Sequence, residues 1–139
     1  MNIGPRFAKR VFLVAGIYGV VVLLPQYFIE LGIAIARPEH FYGFIGVALA
    51  WQFAFLVIAR DVERYRPLML VGVLEKLSFG LAVIALYAAD RVSAGVLGAG
   101  VVDLALGALF VLAFWASRVR AHENATDPRS LLMVDRSGA

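Results

Sequence analysis

Apolar residues run along the chain in four long blocks, at about 11–29, 41–59, 67–89 and 94–117, each broken only by short polar or charged links. Every block reaches the roughly 20 residues that a helix needs to cross a hydrocarbon core of about 30 Å. None alternates between apolar and polar positions as a barrel strand would. A backbone in lipid has to satisfy its own hydrogen bonds, so the pattern predicts an all-α polytopic membrane protein with four transmembrane helices. Short links make consecutive helices antiparallel neighbours in a four-helix bundle. This bundle occupies residues 1–117, and the charged stretch 118–139 loses all periodicity and reads as a flexible polar C-terminal tail.

The links carry their own signals. In "RDVERYRP" the closing Pro67 suits a first helical turn, where a missing N–H costs nothing. Pro25 is expected to bend helix one near its far end. The link 30–40, "ELGIAIARPEH", is long and partly apolar and is expected to lie on the membrane surface. Its "AIA" at 34–36 resembles a signal-peptide cleavage site, but the preceding apolar run is longer than a signal core and contains Pro25 and Gln26, so helix one is expected to stay.

Composition agrees with this reading. The 139 residues are 62% hydrophobic, with a mean hydropathy of +0.84, too apolar for a water-soluble domain of this size. The lipid bilayer is therefore the first partner. Cysteine is absent, which removes disulfides, thiolate metal sites and thiol nucleophiles together. The net charge of +3 comes without the basic, aromatic-studded stripe of a nucleic-acid-binding fold. It is better explained by topology. Arg6, Lys9, Arg10, Arg60, Arg64, Arg66, Arg118, Arg120, Arg129 and Arg136 fall at one end of the helices, against Arg37 and Arg91 at the other. The positive-inside rule then predicts both termini in the cytoplasm.

Chemistry has to be sought where apolar blocks carry charge. Glu75 and Lys76 lie side by side near the middle of helix three, Asp103 lies near the middle of helix four, and Gln52 of helix two comes to a similar depth. An ionisable residue at a helix centre costs roughly 2.5–3.5 kcal/mol on insertion scales, so these side chains are expected to face the bundle interior. Lys76 shares a face with Gly72 and Gly80, and Asp103 with Gly95, Ala99 and Gly107. Small residues at steps of four let backbones approach, so these rows predict the packing of helix three on helix four and a Lys76–Asp103 ion pair, either direct or through water. Glu75 points about 100° away from Lys76, toward the level of Gln52, which has an amide to donate. Gln52, however, lies opposite the small row Gly43, Gly46, Ala50, Ala54, and either face is able to form the closest contact of helix two. Two carboxylates against one ammonium leave one formal negative charge in excess, which a proton on either carboxyl would relieve.

Other constellations carry less. Glu30, Glu39 and His40 cluster near the far end and are weak candidates for a divalent cation, since they lack fixed helical spacing. Phe44, Trp51 and Phe55 give helix two an aromatic face suited to packing or lipid contact. No hydrolase triad, paired metal-binding histidines or phosphate loop is present, so no cofactor is expected and an enzyme is not the favoured reading.

The size, the four helices with short links, the second helix "HFYGFIGVALAWQFAFLVIARD" and the "RPLML" start of helix three resemble the DoxX-like group of small bacterial four-helix membrane proteins. The resemblance covers residues 11–117 and is one of architecture; it carries over no catalytic residue. It implies a small protein of a bacterial inner membrane, on its own or as a subunit of a redox or stress-related system. Three functions follow as expectations. One is an interior polar site handling protons or a small polar solute, working as a homo-oligomer or with a membrane protein partner. The others are a structural or accessory subunit of a membrane complex, and a redox component acting on a quinone-like substrate.

Overall fold

The computed structural model describes residues 3–28 and 37–118. Four helices appear in order: α1 (Ile3–Leu23), α2 (Pro38–Arg60), α3 (Arg66–Ala88) and α4 (Ala94–Ala116), with a short 3-10 turn at Leu24–Tyr27 after α1. All four are long and apolar enough to cross a membrane. At 1.5 Å per residue, a helix of 23 residues spans about 35 Å. The protein is a multi-pass membrane protein by this architecture. Val14, Val21, Leu81 and Leu112 stand exposed around the outside of the bundle, a surface that only lipid tails cover at no cost.

Three helices match the apolar blocks to within three residues at each end, whereas α1 begins eight residues before its block. Hydropathy marks the stretch suited to hydrocarbon, and the helix continues past it through Arg6, Lys9 and Arg10, all exposed. At the other end α1 stops before Pro25, which has no N–H to give, and the chain tightens into the 3-10 turn. Pro38 and Pro67 sit in the first turns of α2 and α3, where their fixed φ favours the helix. The α3–α4 turn closes with Asp90 at φ 56°, while the Arg91 N–H donates to Leu86 O at 2.9 Å and the Asp90 N–H to Tyr87 O at 3.0 Å. These are the two bonds of a Schellman cap, with aspartate in the left-handed position usually taken by glycine. The far link, from 29 to 36, and the tail from 119 lie outside the described residues.

The helices do not pack evenly. α3 lies along α4, α1 along α2, and α1 also meets α4, but α2 and α3 touch at few points. The core is concentrated at the end that holds the start of α1. There Phe12, Phe55 and Phe110 are fully buried, with Phe12 stacked on Phe110 at 4.2 Å between ring centroids and Phe55 edge-on to Phe110 at 4.9 Å. Ala8, Ala15, Ile58, Met69 and Ala113 complete this plug. At the same end the Arg66 guanidinium lies over the Phe114 ring at 4.3 Å. Its Nε donates to Ser117 Oγ at 3.2 Å and to Phe114 O at 3.4 Å, and the Ser117 hydroxyl donates to the same carbonyl at 2.9 Å, so a carbonyl that the last turn of α4 leaves open is satisfied. Toward the other end the helices diverge.

Candidate functional site

The divergence leaves a cleft of about 910 Å³ lined by all four helices. Its walls are mainly apolar, with Phe44 and Trp51 from α2 and Phe79 from α3 beside the Gln52 amide, and its floor carries Glu75, Lys76 and Asp103. A cavity of this size, apolar with a few convergent polar groups, fits the general form of a small-molecule site.

Lys76 is the centre of the floor. Its side chain is 5% exposed, and its stem passes the Phe55 ring, placing Nζ 5.4 Å from the ring centroid where the core ends and the cleft begins. Nζ donates to Asp103 Oδ1 at 3.1 Å. The contact across α3 and α4 is direct: the long lysine stem spans the offset in depth that the sequence implies. Nζ also lies 3.3 Å from Glu75 Oε2. That approach is close enough for an ion pair but off the line of a hydrogen bond, and the buried Oε2 has no hydrogen-bond donor among the described residues. The Glu75 and Asp103 side chains keep 15% and 16% exposure, three times that of the lysine. The cleft therefore meets carboxylates first and the ammonium behind them.

Gln52 turns the other way. It is buried, and its Nε2 donates to Ala48 O one turn back on its own helix at 2.9 Å. Its amide lies against Gly19 of α1, where a methyl group would collide with Oε1. It forms no hydrogen bond to Glu75 among the described residues. Of the two faces of α2, the one bearing Ile45, Gln52, Phe55 and Ile58 is buried, while Gly43, in the small row, meets nothing within 4 Å. Gln52 reaches the cleft as part of its wall and contributes an interhelical contact to α1.

The packing rows divide in a similar way. Gly72 faces the Phe55 and Phe110 rings, Gly80 faces Leu104 and the Gly100 carbonyl, and Gly107 faces the Lys76 Cβ. Gly95 and Ala99 are exposed. A methyl group at Gly95 would meet only the hydroxyl of Ser93, the N-cap of its own helix, within 4 Å, and Ala99 lines the cleft. The expectation that these two pack against α3 is corrected: Gly100 holds that contact, with Val83 and Gly80 opposite it. A step of four drifts by about 40° around a helix for each turn, so a row that starts at Asp103 has left the seam by Gly95.

The aromatic face of α2 also splits. Phe55 belongs to the buried plug, whereas Phe44 and Trp51 wall the cleft, and Phe44 meets Phe79 of α3 at 5.7 Å between centroids. Phe44 and Trp51, seven residues apart, share one face of α2, and it is the open edge between α2 and α3 that turns this face from packing or lipid contact into a cleft wall. Glu39 and His40 are exposed at the start of α2, Glu30 lies outside the described residues, and among the described residues no group of three His, Asp or Glu is placed to hold a metal.

No family model, curated protein or solved structure matches this chain. The site is therefore read from its own chemistry.

Proposed function

We propose that this small membrane protein binds, in the cleft above Lys76, a membrane-soluble molecule with an apolar body and a cationic or hydrogen-bond-donating head. The observation that carries this reading is the order of groups on the floor, two partly exposed carboxylates covering one buried ammonium. Such a surface attracts positive charge and donors and repels anions. Two carboxylates against one ammonium leave one formal negative charge in excess, which the head of a cationic ligand neutralises. Trp51, Phe44 and Phe79 supply apolar and π surface for the body and for a cation alike. The sparse contact between α2 and α3 supports access from the lipid side rather than from water. The excess of basic residues at the end holding the start of α1 supports an orientation with both termini in the cytoplasm.

The test uses two probes of one shape and opposite charge, tetraphenylphosphonium and tetraphenylborate. Trp51 reports from the cleft wall once Trp115, exposed on the outside, is changed to Phe. The cation quenches Trp51 saturably and the anion does not; Glu75→Gln and Asp103→Asn weaken the cation while the protein keeps its helicity. Equal binding of both ions, or no effect of the carboxylate changes, overturns the reading.

A second reading, that the charges serve only to join helices in a structural or accessory subunit, is favoured by the direct Lys76–Asp103 bond between the two most closely packed helices. It expects neither probe to bind and the carboxylate variants to lose assembly instead.

A further inference from the structure

A second cavity, of about 420 Å³, lies at the opposite end of the bundle between the start of α1 and the end of α2. Arg6 and Lys9 enter it from α1 and Arg60 from the last turn of α2, and Asp61 and Glu63 of the following turn also line it. Three cations thus face two carboxylates. One Asp61 oxygen is already occupied, accepting the Arg64 N–H at 3.1 Å. None of Arg6, Lys9 and Arg60 is ion-paired among the described residues. The topological rule explains why basic residues collect at this end. It does not explain why three of them converge on one hollow that holds only two carboxylates, with no ion pair to any of the three among the described residues.

From this hollow an apolar track leads into the membrane on both helices. On α1 the step of four from Lys9 reaches Leu13 and then Ile17, and on α2 the positions below Arg60 on the same face are Val57 and Phe53. All four side chains are exposed. Cations at the water boundary with apolar rows beneath them match the two parts of a phospholipid, an anionic head and its acyl chains. A soluble phosphate would use the first part and leave the second bare.

We infer that the hollow formed by Arg6, Lys9 and Arg60 is a binding site for the headgroup of an anionic phospholipid whose acyl chains lie along the α1–α2 face. The site is separate from the cleft above Lys76 and does not depend on what that cleft binds.

The experiment measures thermal unfolding of the detergent-solubilised full chain with added phosphatidylglycerol, phosphatidylcholine of the same chains, or inorganic phosphate. Phosphatidylglycerol raises the melting temperature saturably, and the other two do not. In Lys9→Gln/Arg60→Gln its apparent affinity falls about thirtyfold, each basic residue near an anionic surface contributing roughly a factor of five. The charge-matched control Arg37→Gln/Arg91→Gln, at the other end of the bundle, keeps the wild-type response. Equal loss in both variants would show a general charge effect and overturn the site. A full response to inorganic phosphate would reduce it to an anion hollow with no lipid selectivity, and an equal response to phosphatidylcholine would remove the role of charge. Native mass spectrometry of the wild type in an equimolar mixture of the two lipids gives a check that needs no variant: a retained adduct of phosphatidylglycerol over phosphatidylcholine is expected, and equal adducts refute the proposal.

Discussion

Replacing Lys76 by methionine keeps the length of the stem against Phe55 and removes only the charge. At an effective dielectric of about 20, one unit charge 3.1 Å from Asp103 Oδ1 and 3.3 Å from Glu75 Oε2 gains about 5 kcal/mol from each, before the cost of taking the ions out of water. Desolvation consumes much of this gain, and breaking a buried pair by removing one partner costs a net 3–5 kcal/mol or so in comparable sites. Lys76→Met leaves two carboxyls facing each other with no cation. Glu75→Gln leaves an intact Lys76–Asp103 pair and is expected to cost about 1 kcal/mol, and Asp103→Asn, which loses a charge-assisted bond between α3 and α4, about 1–2 kcal/mol.

The third member of the cluster also changes what a rescuing variant must contain. Lys76→Met/Asp103→Leu removes the pair but strands Glu75, so it stays destabilised. Adding Glu75→Leu is expected to return stability to near the wild-type value, as apolar replacement of a whole buried ionic group often does. The assay is equilibrium unfolding in mixed micelles, with increasing denaturing detergent and helicity followed by circular dichroism. The reasoning fails if Lys76→Met is no worse than either carboxylate variant, or if the double variant is as stable as the triple.

Asp90→Gly is expected to raise stability by about 0.5–1 kcal/mol, because glycine adopts the left-handed conformation of the α3 cap without the cost that a Cβ brings there; a lower melting temperature would refute it. Arg66→Ala is expected to lower stability by roughly 1–2 kcal/mol by removing the stack on Phe114 and the donor to Ser117 Oγ, while Phe114 O keeps the Ser117 hydroxyl, with Arg66→Lys intermediate because an ammonium lacks the planar fork and stacks less well on Phe114; melting curves of the two variants check the order.

The helices and the depth of the charges were legible because both follow from one-dimensional facts. A run of about 20 apolar residues has to be a helix in lipid, and the distance of Glu75, Lys76 and Asp103 from the ends of their blocks fixes how deep they lie. Direction around the helix is harder. Gln52 and Glu75 sit at similar depth, yet Gln52 bonds to Ala48 and leans on Gly19, since an amide is able to satisfy itself on its own helix and a carboxylate is not. Gly95 belonged to the right sequence row but lies beyond the reach of α3.

The cleft itself follows from where glycine permits close approach, which only the assembled helices reveal. Gly16 and Gly19 draw α2 onto α1, with the Gln52 carbonyl and amide filling the space that a methyl group would need. Gly80, Gly100 and Gly107 draw α3 and α4 together in the same way, and Gly4 sets α1 against the Ala116 carbonyl of α4. Between α2 and α3 the close approach is at Gly72, beside the Phe55 ring and at the level of the core plug. Beyond it, bulky Phe44 and Phe79 meet through their rings and hold the backbones apart. Two tight helix pairs joined through α1 and α4 must then gape along their remaining edge, and the gap opens at the turn of α3 that carries Glu75 and Lys76. The same small residues that close one side of the bundle thereby expose its charges to the other.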